Sequence, residues 1–381
     1  MLVNEWFLLR AICSERDADE RREQIFNLLH AAIRWPVLLE LADRHGVQPL
    51  LYQTLANFEQ LVPAEQFLTL KQNYRTNLHK ALVLSRELIR IVDALVAKGI
   101  EVMPYKGVVL AESVYGDLSL RQAGDIDLLI HADDLARIRS IVRDLGYTPH
   151  LPLPEVQERA YLKSGYEYAF DGAAGPNLLE VQWAIQPRFY AADLDMSELF
   201  ARGKQVAVAG HAVKTLSPED SFLVLSLHAA KHVWGRLIWL CDVARLMRQP
   251  SLDWKWIGSR ARVLGIQRTL RVTMGLANRL LSATIPAAAN EFLPEDKESE
   301  DLAEEIANYG GSEKAHDVES VAYFRLMLRL RERRADRIRF VSRLIFTPGP
   351  NEWAAVRLPS TLFPLYRVVR LSRVTARLMR V

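Results

Sequence analysis

The segment Pro104–His131 reads PYKGVVLAESVYGDLSLRQAGDIDLLIH, and its end decides the fold. There Asp125 and Asp127 alternate with aliphatic residues, a pattern typical of a half-buried β-strand. Successive side chains of a strand point to opposite faces, so the two carboxylates share one face, about 6.5–7 Å apart. Such groups repel each other unless a cation lies between them, and oxygen ligands on a rigid strand suit Mg²⁺. A bare D-x-D also occurs as an acidic turn before a buried strand, and the pattern alone leaves both interpretations open.

The residues before this strand predict a place for an anion. A short strand at Ile100–Met103 leads into Lys106-Gly107, and an apolar helix follows over Val108–Tyr115. A glycine at such a turn lets backbone N–H groups approach an anion at the helix N-terminus, where the helix dipole also favours negative charge. Lys106 can reach a phosphate as a point charge. The strand, the glycine turn, the helix and the acidic strand together predict a site for a nucleoside triphosphate and its metal.

The stretch Lys106–Ile130 resembles the uncharacterised nucleotidyltransferase branch of the DNA polymerase β-like superfamily. Members share a lysine-glycine turn, a tyrosine near the helix end, an arginine, and Asp-Ile-Asp followed by aliphatic residues. The superfamily carries a third carboxylate on a neighbouring strand, and NLLEVQW at 177–183 matches that strand, with Glu180 as the carboxylate. The sequence LSLHAAKHVW at 225–234 resembles the helical part of the same family. The resemblance covers roughly residues 20–370.

The chain departs from the family pattern at two positions. The wider superfamily usually has Gly-Ser at the turn, where the serine helps to bind phosphate, whereas this chain has Gly107-Val108. The family branch often has histidine at the position that Gln182 occupies here. The resemblance therefore assigns Gln182 no role, although strand alternation places it on the same face as Glu180.

The resemblance implies an α+β fold in which a small mixed β-sheet forms the nucleotidyltransferase core, the polymerase β-like palm. We expect this core at residues 100–216, between an N-terminal helical region at 1–99 and a C-terminal helical region at 217–381 with an arginine-rich end. The apolar stripes within 1–99 favour a helical layer packed on the sheet, and a substrate-binding cap is the alternative.

Local patterns divide the predicted core further. A helix is expected over 132–145 and a polar loop over 150–160. Two hairpins are expected because turn-forming residues separate strand-like segments. The strands of the first hairpin are 161–170 and 177–185, and those of the second are 204–208 and 212–216.

The resemblance also implies an activity, the Mg²⁺-dependent transfer of a nucleoside monophosphate from a nucleoside triphosphate to a hydroxyl-bearing acceptor, with release of pyrophosphate. Mn²⁺ could replace Mg²⁺, and the acceptor is left open among a small molecule, a peptide or protein, and RNA. Two metal ions would orient the triphosphate and activate the acceptor hydroxyl. The expected catalytic metal ligands are Asp125, Asp127 and Glu180, and the expected nucleotide-binding residues are Lys106, Gly107, Arg121, Lys231 and His232.

A later predicted helix carries His228 and His232, four residues apart and therefore on one face. The pair lacks the acidic residue of H-E-x-x-H and has no evident third ligand, which disfavours zinc. Two interpretations stay open: one is contact of a histidine or Lys231 with nucleotide phosphates, and the other is packing of the helix on the core. Asp242 is a candidate hydrogen-bond partner for one of the histidines.

The overall composition is that of a soluble globular protein, since half of the 381 residues are hydrophobic and a quarter are charged. The only cysteines, Cys13 and Cys241, are too few for a disulfide framework or a zinc site, so reduced thiols are expected. No apolar run reaches the ~18 residues of a membrane span, and the N-terminal residues lack the features of a signal peptide. We therefore expect a cytoplasmic protein.

Positive charge is concentrated toward the C-terminal end of the chain. Residues 321–381 contain fourteen arginines and three acidic residues, a net charge of +11, so the remainder of this +3 chain carries −8. Such asymmetry suggests a partner with acidic groups. The arginines could form a solvated face, contact RNA or another polyanion, or lie on a membrane surface. The alternative function is a non-catalytic nucleotide- or polyanion-binding protein on the same scaffold, using its arginine-rich C-terminal helices.

Overall fold

The computed structural model describes residues 3–152, 155–162, 165–173, 175–294, 296–309, 320–347, 352, 356 and 358–378. These residues form many helices around a small mixed β-sheet, which confirms the predicted α+β fold class. The helices that precede the sheet are α1 (Val3–Ile12), α2 (Ala18–Leu29), α3 (Trp35–Arg44), α4 (Gln48–Leu55) and α5 (Ala64–Val96).

The starts of the early helices follow from local chemistry. Helix α2 is capped by Asp17, whose side chain accepts a hydrogen bond from the backbone N–H of Asp19 at 2.9 Å. The sequence predicts that Trp35-Pro36 breaks the helical run and that a new helix starts at Val37. The two helices are separate, but the break lies at residues 30–34 and α3 begins at Trp35. Proline is favoured in a first helical turn, where its missing N–H would have had no partner.

The central sheet has the strand order β1-β2-β5-β4-β3, in which β2 and β5 run parallel and the other neighbours run antiparallel. In the parallel pair, Asp127 lies opposite Glu180 and Leu128 lies opposite Val181. The register therefore brings two carboxylates together on adjacent strands. The five strands are β1 (Val102–Pro104), β2 (Ile126–Ile130), β3 (Thr148–Pro149), β4 (Glu167–Gly172) and β5 (Gly175–Gln182).

Three helices connect these strands, α6 (Val108–Ser113), α7 (Leu135–Asp144) and α8 (Glu155–Leu162). The positions of α6 and α7 agree with the sequence prediction. Helix α8 corrects it, because the described part of the predicted loop at 150–160 is largely helical and the strand expected from Tyr161 begins at Glu167. The Tyr161 ring packs edge-on against Trp183, 5.8 Å away, so burial of an aromatic ring decides this segment rather than strand propensity.

The predicted second hairpin is confirmed as β6 (Lys204–Val208) and β7 (His211–Thr215), a two-stranded sheet preceded by α9 (Met196–Arg202). Ser217 then caps the first C-terminal helix, because its hydroxyl accepts a hydrogen bond from the Asp220 backbone N–H at 3.1 Å. The described helices that follow are α10 (Pro218–Lys231), α11 (Leu237–Met247), α12 (Trp254–Leu264), α13 (Gln267–Leu281), α14 (Ala287–Phe292), α15 (Lys297–Tyr309), α16 (Val321–Arg329), α17 (Arg334–Phe346) and α18 (Tyr366–Leu378).

Buried apolar side chains form two large cores, and α5 contributes to both. Its first half places Phe67 and Leu70 in a core shared with α1–α4 and α10–α13. Its second half places Leu84 and Leu88 in the core that contains the sheet, α6 and α7. The helical layer expected over 1–99 therefore packs on the sheet through α5, whereas α1–α4 pack with the C-terminal helices.

Several C-terminal arginines pair with acidic residues elsewhere in the chain. Arg329 contacts Glu298 and Glu305, each at 2.6 Å, and Arg343 contacts Asp193 at 2.7 Å. Part of the charge asymmetry of the sequence is thus neutralised internally. In the predicted arginine face of the last helix, the side chain of Arg377 and the whole of Arg380 lie outside the described residues.

None of the helices that the structure describes is both long enough and apolar enough to cross a bilayer.

Candidate functional site

A cavity of about 1040 Å³ lies between the sheet and the helices α10 and α11. All eight site residues named from the sequence contribute to its lining, although they come from positions as far apart as Lys106 and His232. The eight are Lys106, Gly107, Arg121, Asp125, Asp127, Glu180, Lys231 and His232. The fold thus brings the expected residues together, while their contacts differ in part from those expected.

The carboxylates at one end of the cavity have strongly shifted acidities. Burial, together with repulsion from Asp127 and Glu167, raises the pKa of Glu180 to about 8. Burial and the same Asp127 carboxylate raise the pKa of Asp125 to about 6. Burial is the larger cause of both shifts, and the neighbouring carboxylates add to it.

Lys106 supplies the nearest cation, and it pairs directly with the carboxylate cluster. Its Nζ donates a hydrogen bond to Asp127 Oδ1 at 2.8 Å, and the side chains are 12% and 3% exposed. Burial alone would lower the pKa of Lys106, but the Asp127 carboxylate and the Tyr105 hydroxyl together outweigh it and raise that pKa above its ordinary value. The lysine that the sequence predicted for phosphate therefore pairs with a carboxylate of the protein.

The turn after β1 requires glycine at position 107. Gly107 has φ +56° and ψ −125°, a backbone conformation that L side chains rarely adopt. A Cβ added here would lie 3.2 Å from the carbonyl oxygen of Asp125. The absence of a side chain thus lets the turn and the start of the acidic strand approach each other closely.

Arg121 is held by protein partners inside the cavity wall. Its Nε and Nη2 donate to Oδ1 and Oδ2 of Asp242 at 3.0 and 2.9 Å. The Tyr115 hydroxyl donates to the same Asp242 Oδ1 at 2.7 Å. Asp242 is therefore not the partner of a histidine, which corrects that expectation. Arg121 also donates to the carbonyl oxygen of Gly107 at 3.4 Å, so its contacts brace the turn.

The other end of the cavity is lined by imidazole and indole rings. The rings of His228 and His232 lie 4.9 Å apart, and each lies 5.2 Å from Trp239. Burial and the positive charge of Lys231 lower the pKa of His232 to about 4, and burial together with Lys106 lowers the pKa of His228 well below its usual value. Both histidines are therefore neutral near pH 7.

Lys231 lies between the two ends. Its Nζ donates a hydrogen bond to the Tyr166 hydroxyl at 2.8 Å, and burial lowers its pKa. Helix α10 stops directly after it, and Val233 and Trp234 then adopt left-handed φ angles of 53° and 48°. Two consecutive non-glycine residues in this region are costly, which is a feature often found at functional sites.

Sequence reasoning missed several residues of the site. Tyr105, Tyr166 and Trp239 carry no motif. The partners of Tyr105 and Tyr166 lie 77 and 65 residues away in the chain, and Trp239 packs near His228 and His232 from the following helix. For Gln182 the sequence contained a partial indication, because strand alternation placed it on the same face as Glu180. Its amide lies among Tyr105, Asp127 and Glu180, a position that alternation alone could not give.

Within the described part of the chain, no three His, Cys, Asp or Glu side chains converge as a ready metal-binding group. Asp127 and Glu180 do face each other across adjacent strands with carboxylate oxygens, which hard cations such as Mg²⁺ prefer. These residues fit a metal whose remaining ligands come from a bound substrate.

Two comparisons with known proteins gave matches. A family model described as "Uncharacterised nucleotidyltransferase" matches residues 31–282, about two thirds of the chain and all of the site residues named above. The crystal structure of an antigenic nucleotidyltransferase-like protein from Paracoccidioides brasiliensis is similar over 56% of this chain and 96% of that chain, with 16% identity and a TM-score of 0.32. This score is too low to support a conclusion. No curated protein matches the chain.

Proposed function

Because the chain belongs to the uncharacterised nucleotidyltransferase family, we propose that it moves a nucleoside monophosphate from a nucleoside triphosphate to a hydroxyl-bearing acceptor, with Mg²⁺ bound. The acceptor oxygen would bond to the α-phosphorus, and the bond from that phosphorus to the β-phosphate would break. Pyrophosphate leaves with the electron pair of that bond, and the hydroxyl proton passes to solvent.

The observation that carries this proposal is the electrostatic state of the carboxylate cluster. Glu180 and Asp125 have raised pKa values because burial and their carboxylate neighbours disfavour the charged forms. Asp125, Asp127 and Glu180 would hold the metal, which supplies a positive charge that lowers the pKa of the acceptor hydroxyl and balances the triphosphate. A cation at this place would relieve the repulsion that the pKa shifts report.

The cationic side chains of the cavity suit the phosphates. Lys106 is already within 2.8 Å of Asp127, so a metal there would compete with it and free its ammonium group for a phosphate oxygen. Lys231 reaches the same cavity from α10. The Gly107 turn would offer backbone N–H groups to a phosphate. Arg121, bound to Asp242, would act by holding this turn.

The alternative of a polyanion-binding protein has less support. Arg329 and Arg343 pair with acidic residues of the chain itself, and Arg370 contacts Glu352 at 3.3 Å. Their charge is partly neutralised and so less available to phosphates of a nucleic acid. The acceptor of the proposed reaction stays open among a small molecule, a peptide or protein, and RNA.

Calorimetric titration with each nucleoside triphosphate, with and without Mg²⁺, tests the proposal. Wild type should bind one or more triphosphates only when Mg²⁺ is present, and Asp125→Ala/Asp127→Ala should lose this binding by at least about tenfold. The control Asp133→Ala/Asp144→Ala removes two exposed aspartates outside the cavity and should bind as wild type does. Equal binding by the Asp125/Asp127 variant and wild type would contradict the proposed site.

A further inference from the structure

The side chain of Gln182 connects the two strands that carry the carboxylates through hydrogen bonds. It is 2% exposed at the end of β5. Its amide Nε2 donates to Asp127 Oδ1 at 3.2 Å and to Glu180 Oε2 at 3.0 Å. Its Oε1 accepts a hydrogen bond from the Tyr105 hydroxyl at 2.6 Å. One neutral side chain thus contacts two of the expected metal ligands.

Tyr105 determines which way this amide points. A buried phenol hydroxyl that donates to Gln182 Oε1 leaves the NH₂ group to face Asp127 and Glu180. The reverse orientation would place the amide oxygen, in place of the NH₂ group, against the oxygens of Asp127 and Glu180 and would remove both of these hydrogen bonds. Burial raises the pKa of Tyr105 above its ordinary value, so the hydroxyl keeps its proton throughout the neutral range.

The bonds from Gln182 and Lys106 engage one oxygen of each carboxylate. Asp127 Oδ1 receives both Lys106 Nζ and Gln182 Nε2, and Glu180 Oε2 receives the other amide hydrogen. Asp127 Oδ2 and Glu180 Oε1 receive no hydrogen bond from the residues that the structure describes. Both residues line the cavity, so these oxygens are the ones left for a ligand there.

We propose that Gln182, oriented by Tyr105, is a positioning residue that fixes the carboxylates of Asp127 and Glu180 for a metal–nucleoside triphosphate complex. This inference rests on the proposed function. An amide suits the task because it donates to both carboxylates without adding a charge and does not titrate. Gln182 acts through the two carboxylates and is not itself a metal ligand.

The test measures Mn²⁺ uptake from the electron paramagnetic resonance signal of free Mn²⁺, with each of the four α,β-methylene nucleoside triphosphates, which cannot release pyrophosphate. Gln182→Met keeps the length of the side chain but removes both donors, and its Mn²⁺ affinity should fall by about 10- to 100-fold. Tyr105→Phe keeps the ring and should lower the affinity by about 3- to 10-fold.

Matched controls separate positioning from general damage to the core. Gln186→Met changes a glutamine that is 6% exposed and outside the cavity lining, and Tyr147→Phe removes a buried hydroxyl that binds Glu87 at 3.0 Å. Both should bind Mn²⁺ as wild type does, and thermal unfolding checks that each variant is folded. If Gln182→Met does not fold, Tyr105→Phe decides the question.

The outcomes distinguish failure of the positioning role of Gln182 from failure of the proposed function. Weaker Mn²⁺ uptake by folded Gln182→Met or Tyr105→Phe, with unchanged controls, supports the positioning role. Uptake within twofold of wild type in folded Gln182→Met and Tyr105→Phe overturns that role and leaves the proposed function standing. No uptake by wild type with any of the four analogues overturns the proposed function, and the positioning role with it.

Discussion

The two ends of the cavity show an inverted order of acidities. At the carboxylate end, Glu180 has a pKa of about 8 and Asp125 one of about 6. At the imidazole end, His232 has a pKa of about 4. In water the order is the reverse, since carboxylic acids ionise near pH 4 and histidine near pH 6.5. The carboxylates are therefore the groups that titrate across neutral pH.

Burial is the leading cause of all three shifts, because it disfavours whichever form is charged. Like charges increase the effect at each end, Asp127 at one and Lys231 at the other. The difference teaches that burial in this cavity suppresses charge on acidic and basic side chains alike. A cation bound at the carboxylate end would favour the charged forms of Glu180 and Asp125.

The variant Glu180→Gln changes the carboxylate end of the cavity and should have the largest effect on activity. Nucleotidyl transfer should fall by about 10²–10³-fold, because the substitution removes a carboxylate that the proposal assigns to the metal. The rate of pyrophosphate release in the presence of Mg²⁺ measures this. Normal activity would mean that the third carboxylate lies elsewhere in the chain.

Without metal, the same variant tests how protonation of Glu180 contributes to the stability of the protein. The folded pKa of Glu180 is raised above its ordinary 4.5, so the folded state binds the proton more tightly than the unfolded state. Its contribution to stability is complete below about pH 4.5 and is lost as the pH rises to about 8. The melting temperature of wild type should therefore fall over this range, and Glu180→Gln should remove part of the fall. A decline of equal size in both proteins would assign it to other groups.

The variant His232→Gln tests the imidazole end, and its effect should be smaller. The KM for the triphosphate should rise by no more than about tenfold, since the variant removes a ring contact and no charge. The pH dependence between pH 6 and 8 should stay that of wild type, because His232 is neutral throughout this range. Loss of an inflection near pH 6.5 would instead identify His232 as a titrating catalytic group.

Replacement of exposed arginines outside both ends of the cavity should have the smallest effect on triphosphate binding. Arg334→Ala/Arg367→Ala removes two exposed charges of α17 and α18 that lie outside the cavity lining. Triphosphate binding measured by calorimetry should stay within about twofold of wild type, since exposed charges at a distance are screened by salt. A large loss of affinity would place the triphosphate near the C-terminal helices.

The sequence predicts the parts of the site that depend on short-range patterns. Strand alternation put Asp127 on one face and paired Glu180 with Gln182, and the turn before α6 was recognised from its glycine. The family prediction from these motifs is confirmed. The assignment of metal and nucleotide ligands stays a prediction.

Contacts between distant segments could not be predicted in this way. Arg121 meets Asp242 across 121 residues, and Tyr105 meets Gln182 across 77, which only the packed fold determines. The helix α8 was missed because most of it lies in a polar segment that was predicted as a loop, and only its last residues belong to the predicted strand. Ion pairs within the chain, such as that of Arg343, could not be predicted either, since net charge does not show which charged side chains form pairs.

Helix α5 has a consequence for how the molecule unfolds. Its 33 residues extend for about 50 Å and place side chains in both large cores. Unfolding of this helix would remove packing from both cores, so the sheet and the surrounding helices are coupled in stability. Amide hydrogens of the strands that carry Asp127 and Glu180 therefore owe part of their protection from exchange to helices such as α2 and α4, which lie outside the cavity lining.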